Sequence, residues 1–249
     1  YRNKLNSTIP NTLFQLKKLT HLGLSENELT GRISSDVGYL RSLEVLTLHS
    51  NRFTGNIPST ITNLTNLTYL SLGINSLKGS IPSDIGLLNK LKNLTLDNNL
   101  LEGSIPSSIT NLSHLLGTSM AYNRLTGLLP VGLGQLSNLT FLSVGGNRLS
   151  GRIPDDLFNC TMLQVLDLNK NNFTGILSPN IGRLSNIRLL RLGGNSFLGS
   201  IPGDIGNLSQ VIDLLLHNNR LSGSIPSELS KLALLQGLAL QNNLLGGQI

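Results

Sequence analysis

Residues 67–88 read LTYLSLGINSLKGSIPSDIGLL, and the same order of apolar, asparagine, glycine and proline residues returns every 24 residues along the chain. The most regular member is an asparagine, which recurs without insertion or deletion. A fixed period of this length indicates a stacked repeat array, in which each repeat buries its apolar side chains only against its neighbours. The asparagines are Asn3, Asn27, Asn51, Asn75, Asn99, Asn123, Asn147, Asn171, Asn195, Asn219 and Asn243.

Each position of the repeat has a physical role. The alternation of Leu70, Ser71 and Leu72 has period two, so it predicts a short strand with alternate side chains inward and, over successive repeats, a parallel sheet. The asparagine side chain can satisfy the backbone where the strand bends away, and it can bridge adjacent coils. The glycine that follows (Gly79 in this repeat) predicts positive φ. Pro82 suits the return path because it donates no hydrogen bond.

The pattern L-x-x-L-x-L-x-x-N-x-L-x-G-x-I-P resembles the leucine-rich repeat family, and its L-x-G-x-I-P segment resembles the plant-specific subclass. The resemblance covers the whole chain. It implies an α/β leucine-rich-repeat solenoid, a right-handed superhelix with a concave parallel β-sheet and with second short strands and 3₁₀ turns on the convex side. We expect residues 1–249 to form a single array of ten 24-residue repeats and part of another. Neither end carries a polar cap, so we expect a fragment of a longer ectodomain.

Composition and motifs give little support to catalysis, metal binding or nucleic-acid binding. The formal charge of +6 is scattered, with no basic run interleaved with aromatic residues. His21 and His49 occupy different repeat phases, and no cysteine or carboxylate completes a metal-ligand set. We find no catalytic or cofactor-binding motif and predict no cofactor. The adjacent Asp155 and Asp156 are expected to be turn or cap residues, and the single cysteine, Cys160, a buried apolar one.

Glycosylation signals favour secretion. Nine N-x-[ST] sequons occur, against roughly five expected by chance, so we expect this region on the extracellular side of the plasma membrane. Any membrane segment would lie outside this chain. Asn93 lies on a predicted strand, where a glycan would obstruct a ligand, and we do not expect it to be modified. The expected glycosylation sites are Asn6, Asn63, Asn66, Asn111, Asn138, Asn159, Asn172 and Asn207.

Function is expected where the repeat varies, at the outward side chains of the predicted strands. These are small hydrogen-bonding residues with occasional aromatic ones. At about 4.8 Å per strand, ten strands would span roughly 50 Å, which suits an extended peptide of about a dozen residues. The candidate ligand-binding residues are His21, Gly23, Thr47, His49, Tyr69, Ser71, Asn93, Thr95, Tyr122, Phe141 and Gln236.

Two further features of the variable positions have consequences. Thr118 and Met120 replace core leucines in one repeat and predict a locally softened core.

Acidic residues occur in the early predicted strands and basic residues in the later ones, so a ligand of opposite polarity would be steered into one orientation. The early acidic residues are Glu26, Glu28 and Glu44, and the later basic ones are Arg148, Lys170, Arg188 and Arg191.

Whole segments of the chain resemble the flagellin-sensing receptor kinases of plants. In that family a stretched flagellin peptide lies along the concave face and a co-receptor kinase ectodomain closes over its end. The full-length protein would then carry a kinase outside this chain. The segments include LTHLGLSEN (residues 19–27), SLEVLTLHSN (42–51) and IPDDLFNC (153–160). The resemblance implies ligand-contact positions, matched by strand and by position in the repeat, at His21, Thr47, Ser71, Asn93, Thr95 and Gln236. It also implies that Tyr1 is the last member of a column of tyrosines.

Two other binding functions remain open at this point. Polygalacturonase inhibitors have similar repeats and a similar size, and they block a cell-wall-degrading enzyme with the concave face, but their caps carry paired cysteines. Ice-binding repeats need a flat and regular lattice of polar residues. The column Thr20, Glu44, Thr68, Lys92 and Leu116 is irregular. We therefore rank a peptide receptor first, a protein inhibitor second and an enzyme last.

Overall fold

The computed structural model describes residues 3–247, whose short strands and 3₁₀ turns repeat with the period of the sequence. Tyr1 lies outside the described residues. The strands are β1 (Asn6–Ser7), β2 (His21–Gly23), β3 (Glu28–Leu29), β4 (Val45–Thr47), β5 (Thr54–Asn56), β6 (Tyr69–Ser71), β7 (Ser76–Gly79), β8 (Asn93–Thr95), β9 (Leu100–Gly103), β10 (Gly117–Ser119), β11 (Arg124–Gly127), β12 (Phe141–Ser143), β13 (Arg148–Gly151), β14 (Val165–Asp167), β15 (Asn172–Ile176), β16 (Leu189–Arg191), β17 (Ser196–Gly199), β18 (Asp213–Leu215), β19 (Arg220–Gly223), β20 (Gly237–Ala239) and β21 (Leu244–Leu245).

The helical segments of residues 3–247 are all short 3₁₀ turns, as the resemblance to the leucine-rich repeat family implies. They are η1 (Asn11–Gln15), η2 (Ser35–Tyr39), η3 (Ser59–Asn63), η4 (Ile85–Leu87), η5 (Ser107–Asn111), η6 (Leu133–Gln135), η7 (Asp155–Asn159), η8 (Pro179–Arg183), η9 (Gly203–Asn207) and η10 (Ser227–Lys231). No helix in this described range is long and apolar enough to cross a membrane.

The chain forms two compact units, the first ending at Leu125 and the second beginning at Thr126. In the first unit β2, β4, β6, β8 and β10 pair in sequence order as a parallel sheet. In the second unit β12, β14, β16, β18 and β20 do the same. We call each of these the main sheet of its unit. Partners in a main sheet are 24 residues apart, as Leu46 and Leu70 are, so columns of the repeat become columns of side chains.

The remaining strands follow the repeated asparagine and form narrower parallel sheets within each unit. In the first unit β5, β7 and β9 are neighbours, and in the second unit β13, β15, β17, β19 and β21 are. The recurring glycine lies in or beside these strands. From Gly31 to Gly247 its φ lies between 72° and 93°, a conformation in which a Cβ is costly, and this confirms the predicted role of the glycine.

Alternate strand positions fill the interior of each coil. Leu46 and Leu48 of one repeat are no more than 1% exposed, and burying each such side chain contributes roughly 1.5–3 kcal/mol. Between neighbouring repeats of the second unit, the rings of Phe173 and Phe197 stack with centroids 6.3 Å apart. The inward and outward positions therefore follow the period-two pattern of the sequence.

The repeated asparagine joins one coil to the preceding one. The Nδ2 of Asn99 donates to the carbonyls of Leu72 in the preceding repeat and Leu96 in its own, each at 3.1 Å. Its Oδ1 accepts the backbone N–H of Leu77 at 2.9 Å. One buried side chain thus satisfies three backbone groups that the strand ends leave open, which confirms the predicted bridging role.

Asp156 and Cys160 both contact the backbone of the preceding repeat. The Asp156 carboxylate accepts the backbone N–H groups of Gly132 and Gly134 at 2.8 and 3.0 Å, and so caps the 3₁₀ turn of the preceding repeat. The Cys160 thiol is buried and donates to the Leu133 carbonyl at 3.3 Å. Burial, with a smaller contribution from the charge of Asp156, raises the pKa of this thiol to about 11. Both assignments from the sequence are therefore confirmed.

The repeat with Thr118 and Met120 keeps both side chains inside. Each is no more than 2% exposed. The Thr118 hydroxyl has no hydrogen-bond partner within the described residues, and a buried hydroxyl without a partner costs free energy. This unpaired group gives the predicted local softening a physical basis.

The predicted glycosylation sites lie away from the main sheets. Asn63, Asn111, Asn159 and Asn207 are each the last residue of a 3₁₀ turn and are exposed. Three further exposed sites are Asn6, Asn138 and Asn172. The remaining site, Asn66, is half-buried, and its amide donates to the Arg41 carbonyl at 3.0 Å and accepts from Lys90 at 2.8 Å.

Candidate ligand-binding face

The main sheet of the first unit arranges seven candidate residues in two columns of outward side chains. The register follows from the 24-residue pairing of its strands. The first column is His21, Val45, Tyr69, Asn93 and Gly117, and the second is Gly23, Thr47, Ser71, Thr95 and Ser119. His49 and Tyr122 follow β4 and β10, so all nine candidates of this unit lie on or next to one sheet.

A hydrogen-bonded row crosses this sheet over four successive repeats. The Nδ1 atom of His49 lies 2.8 Å from the hydroxyl of Ser25 and 3.2 Å from that of Ser71. Thr95 in turn donates its hydroxyl proton to the Ser71 oxygen at 2.8 Å. Ser71 is buried, whereas His49 and Thr95 are half-buried. The sequence predicted His49, Ser71 and Thr95, but not Ser25, as ligand contacts. The structure makes all four partners in one row, which fixes their orientation.

Next to this row the sheet has a hollow of about 210 Å³, lined by candidates and by residues outside the candidate set. At the equivalent position after the strand, the neighbouring repeats carry the side chains of His49 and Asp97, whereas Gly73 carries none. A Cβ placed on Gly73 would come within 2.7 Å of the Asp97 Oδ1 atom, so the carboxylate leans over the glycine. The lining residues are His49, Tyr69, Ser71, Gly73, Ile74, Thr95 and Asp97.

Ile74 forms the apolar rim of the hollow in a costly backbone conformation. Its φ is 53°, in the left-handed region where a β-branched residue is an outlier. Every other described repeat also has positive φ at the equivalent position, which holds Glu26, Ser50, Asn98, Tyr122, Gly146, Lys170, Gly194, Asn218 and Asn242. The conformation therefore belongs to the repeat, and Ile74 is the one β-branched residue that adopts it there within residues 3–247. Its side chain is 53% exposed, so it adds apolar surface beside the hollow.

Asp97 supplies the charge of the hollow. Its Oδ2 atom accepts the side-chain N–H of Asn98 at 2.8 Å. Among the described residues no Lys, Arg or His lies at ion-pair distance from its carboxylate. Asp167 in the second unit is the opposite case, because Arg191 lies 3.7 Å from its carboxylate. No described side chain therefore neutralises the charge of Asp97.

The second unit carries the two other candidates on its own main sheet. Phe141 begins β12 and is 38% exposed. Gln236 precedes β20 and is also exposed, but β14, β16 and β18 separate the two residues, so the structure does not bring them together. His217 lies over Gly193, and its Nδ1 atom is buried without a hydrogen-bond partner in the part of the chain described.

The predicted division of charge needs a correction. Glu28 begins β3 and Arg148 begins β13. Both strands follow the repeated asparagine and therefore lie outside the main sheets. Glu28 is also paired with Arg52 at 3.2 Å. The acidic residues that remain beside the main sheet of the first unit are Glu26, Glu44 and Asp97.

The candidate set omitted Gly73, Ile74 and Asp97. All three are outward positions of the predicted strands, but none stands out by residue type alone. The available signal was a β-branched residue at a position that holds none in the other repeats. Within residues 3–247 no three His, Cys, Asp or Glu side chains are placed to hold a metal ion.

Family models for leucine rich repeats match residues 41–101 and, one repeat at a time, residues 18–40, 138–160, 162–184, 186–208 and 210–232. Together these matches cover more than half of the chain. No curated protein gave a significant match.

Solved structures of plant receptors share the fold. The ectodomain of the receptor kinase GASSHO1/SCHENGEN3 from Arabidopsis thaliana, in complex with CASPARIAN STRIP INTEGRITY FACTOR 2, is 34% identical over 100% of this chain with a TM-score of 0.86. The plant peptide hormone receptor RGFR1, in complex with RGF2, is 33% identical over 98% of this chain with a TM-score of 0.75. The chain spans only 32% and 47% of these two structures.

Two other structures bear on the choice of function. The Arabidopsis receptor kinase HAESA, in complex with the peptide hormone IDA and the co-receptor SERK1, is 27% identical with a TM-score of 0.50, over 98% of this chain and 61% of that one. A plant ice-binding protein is 29% identical with a TM-score of 0.80, over 98% of this chain and 78% of that one. From its repeats, its strand register and the family models, the chain belongs to the leucine-rich repeat family.

Proposed function

We propose that this chain is the ligand-recognition region of a plant receptor kinase ectodomain and that it binds an extended peptide across the main sheet of its first unit. The observation that carries the proposal is the hollow at Gly73, where an uncompensated carboxylate and an exposed, strained Ile74 lie beside the hydrogen-bonded row. The similarity to the peptide hormone receptor RGFR1 supports a peptide as the ligand.

The more specific form of the proposal is a pattern-recognition receptor for a flagellin-derived peptide. It rests on the resemblance of whole segments to flagellin-sensing receptor kinases. On this proposal the chain lies on the extracellular side of the plasma membrane and signals through a co-receptor kinase ectodomain. The complex of HAESA with its co-receptor SERK1 supports a partner of this kind.

The arrangement of the face favours a peptide over ice. An ice-binding surface repeats one polar residue at each step, whereas the column beginning at Thr20 continues with an acid at Glu44, a base at Lys92 and an apolar residue at Leu116. The hollow at Gly73 also interrupts the surface. Irregular pockets suit side chains of different size and charge, which is how an extended peptide is recognised.

Calorimetric titration of the protein with a conserved flagellin-derived peptide tests this function. The protein would be secreted from plant or insect cells with any native sequence that flanks these residues. We expect saturable binding. The double variant Thr47→Ala with Thr95→Ala should weaken it about tenfold or more, since it removes an outward hydroxyl and the donor to Ser71. Thr12→Ala, in the exposed turn η1, is the matched control and should bind like the parent.

Absence of binding by well-folded protein would remove the flagellin form of the proposal. Endogenous plant peptides would then be titrated in the same way, followed by cell-wall-degrading enzymes. Binding that both the double variant and the Thr12→Ala control retain would place the ligand elsewhere on the molecule and contradict the assigned face.

A further inference from the structure

We infer that the hollow at Gly73 receives a lysine or arginine side chain of the bound peptide. The inference rests on the proposed function, and it names the chemistry that one position of the ligand must have. Its basis is the geometry of one apolar wall, one carboxylate and a floor without a side chain, all within the first unit.

The floor of the hollow exists because Gly73 has no side chain. The neighbouring repeats carry His49 and Asp97 at the same position, so a residue with a Cβ would close the space. A Cβ on Gly73 would lie 2.7 Å from Asp97 Oδ1 and 3.3 Å from the Asp97 carbonyl oxygen. A ligand side chain that enters this space therefore reaches the carboxylate directly.

The walls suit a side chain with an apolar stem and a charged end. Ile74 is 53% exposed and the Tyr69 ring is half-buried, so both can cover methylene groups. Lysine and arginine bury their stems along such apolar surface while the charged group reaches a polar partner. An aliphatic ligand residue would cover Ile74 but leave the Asp97 charge desolvated without a partner, which is costly.

The other polar groups of the hollow do not compete for this role. The Thr95 and Ser71 hydroxyls are bonded within the row that continues through His49 to Ser25. Asp97 has only the Asn98 amide on its Oδ2 atom, which leaves acceptor capacity on Oδ1. A charge-assisted hydrogen bond to an ammonium or guanidinium group would use that capacity.

A selection from a phage-displayed library of random dodecamer peptides tests the inference without a known ligand. The secreted protein would be compared with its variants Asp97→Asn and Glu44→Gln. Asp97→Asn keeps the shape and an acceptor for Asn98 but removes the charge. Glu44→Gln removes an exposed charge beside the same sheet and is the matched control. Circular dichroism and thermal unfolding would establish that each variant is folded.

We expect the parent and Glu44→Gln to enrich peptides with lysine or arginine at one fixed position, and Asp97→Asn to lose that preference. One selected peptide would then be titrated with its cationic residue replaced by norleucine. The replacement should weaken binding to the parent at least tenfold and binding to Asp97→Asn less than threefold. Gly73→Ala should weaken the cationic peptide and leave the norleucine peptide nearly unchanged.

Peptides enriched without a cationic position, or an equal loss on the parent and Asp97→Asn, would overturn this inference and leave the proposed peptide-binding function standing. Failure to enrich any peptide on folded parent protein would overturn both. A cationic preference lost equally in Glu44→Gln and Asp97→Asn would indicate general electrostatic attraction and would also overturn the inference.

Discussion

At the scale of a single residue, Ile74 allows the effect of one substitution on stability to be compared with its effect on ligand binding. Its side chain is exposed and its backbone has φ 53°. For a residue with a Cβ this conformation costs roughly 1–2 kcal/mol, and asparagine tolerates it better because its side chain can hydrogen-bond locally. The repeat already accepts asparagine here, as Asn98 and Asn242 illustrate.

We therefore predict that Ile74→Asn stabilises the protein by about 1 kcal/mol and weakens ligand binding. Urea unfolding would measure the stability, and titration with a selected peptide would measure the binding. The reverse substitution at an equivalent position, Asn98→Ile, should destabilise the protein. Ile74 is 53% exposed, so the substitution loses only part of an apolar contact, and reduced stability of Ile74→Asn would contradict the strain argument.

Thr118 illustrates the cost of a buried hydroxyl. Its oxygen has no partner within the described residues, and the side chain is 2% exposed. We predict that Thr118→Val raises the free energy of unfolding by about 1 kcal/mol, because valine has the same shape without the unpaired hydroxyl. Thr62 is the matched control. Its hydroxyl donates to the Ser59 carbonyl at 2.9 Å, so Thr62→Val should destabilise. Equal effects in urea unfolding would refute the comparison.

Cys160 is expected to be unreactive in the folded protein. Its pKa is raised to about 11 from 9.0 by burial and by the charge of Asp156, and the thiolate is the reactive form. Labelling by a thiol reagent at pH 8 should be slow and should accelerate in urea. Rapid labelling of folded protein would show that the thiol is accessible.

The same shift predicts a loss of stability in alkali. Between pH 9 and 11 the unfolded state loses the thiol proton before the folded state does. The thiol contribution to stability therefore falls as pH rises through this window, by up to roughly 1.4 kcal/mol per pH unit. Urea unfolding of the parent and of Cys160→Ala at pH 8, 9 and 10 would isolate this term. Equal pH dependence of the two proteins would contradict it.

At the scale of structural elements, the asparagine row holds successive strands together. Asn99 satisfies the Leu77 N–H and the Leu72 carbonyl of the preceding repeat from a buried position. Apolar packing alone would leave these groups unpaired, because the chain turns away from the sheet after each three-residue strand. The row is thus the polar counterpart of the leucine core.

We predict that Asn99→Ala lowers the free energy of unfolding by about 3 kcal/mol, since buried backbone groups on two coils lose their partners. Amide hydrogen exchange at Leu77 should accelerate more than exchange at Leu46, two repeats away. Asn89→Ala, at an exposed position without positive φ, is the control and should change stability by less than about 1 kcal/mol. Uniform acceleration at both amides would indicate global unfolding in place of a local role.

At the scale of the whole molecule, the two surfaces have different uses. In each unit two of the described 3₁₀ turns end in an exposed asparagine of a sequon, while the main sheets carry the candidate residues on or next to their strands. A glycan on a 3₁₀ turn leaves the sheets accessible. Asn93 is the exception, because it begins β8 and is half-buried beside Tyr69.

We predict that the secreted protein carries glycans on Asn63, Asn111, Asn159 and Asn207 and none on Asn93. Peptide mapping by mass spectrometry, with enzymatic deglycosylation in heavy-oxygen water, would assign each site. Occupancy of Asn93 would obstruct the first column of the proposed binding face and would argue against peptide binding there. Bare asparagines on the turns would argue against the secretory route.

The sequence by itself determined the 24-residue coil, its parallel strands, the positive φ of its glycines and the bridging asparagines. These features depend on local sterics and on a pattern that every repeat states again, so no distant contact is needed to infer them. It also identified the outward positions from which a ligand site could be built, including Tyr69 and Thr95. The structure placed Glu28 in β3 and Arg148 in β13, outside the main sheets, because both residues directly follow the repeated asparagine.

Only the tertiary structure decided which of those outward side chains act together. Asp97 and Asp167 are both outward aspartates, yet the first is without a cationic partner in the described chain and the second is paired with Arg191. Arg191 comes from the next repeat, 24 residues from Asp167, whereas the partner of Asp97 is the adjacent Asn98. Side-chain direction, not sequence spacing, selects between these arrangements. The hollow at Gly73 also depends on the tertiary structure, because side chains from several repeats line it.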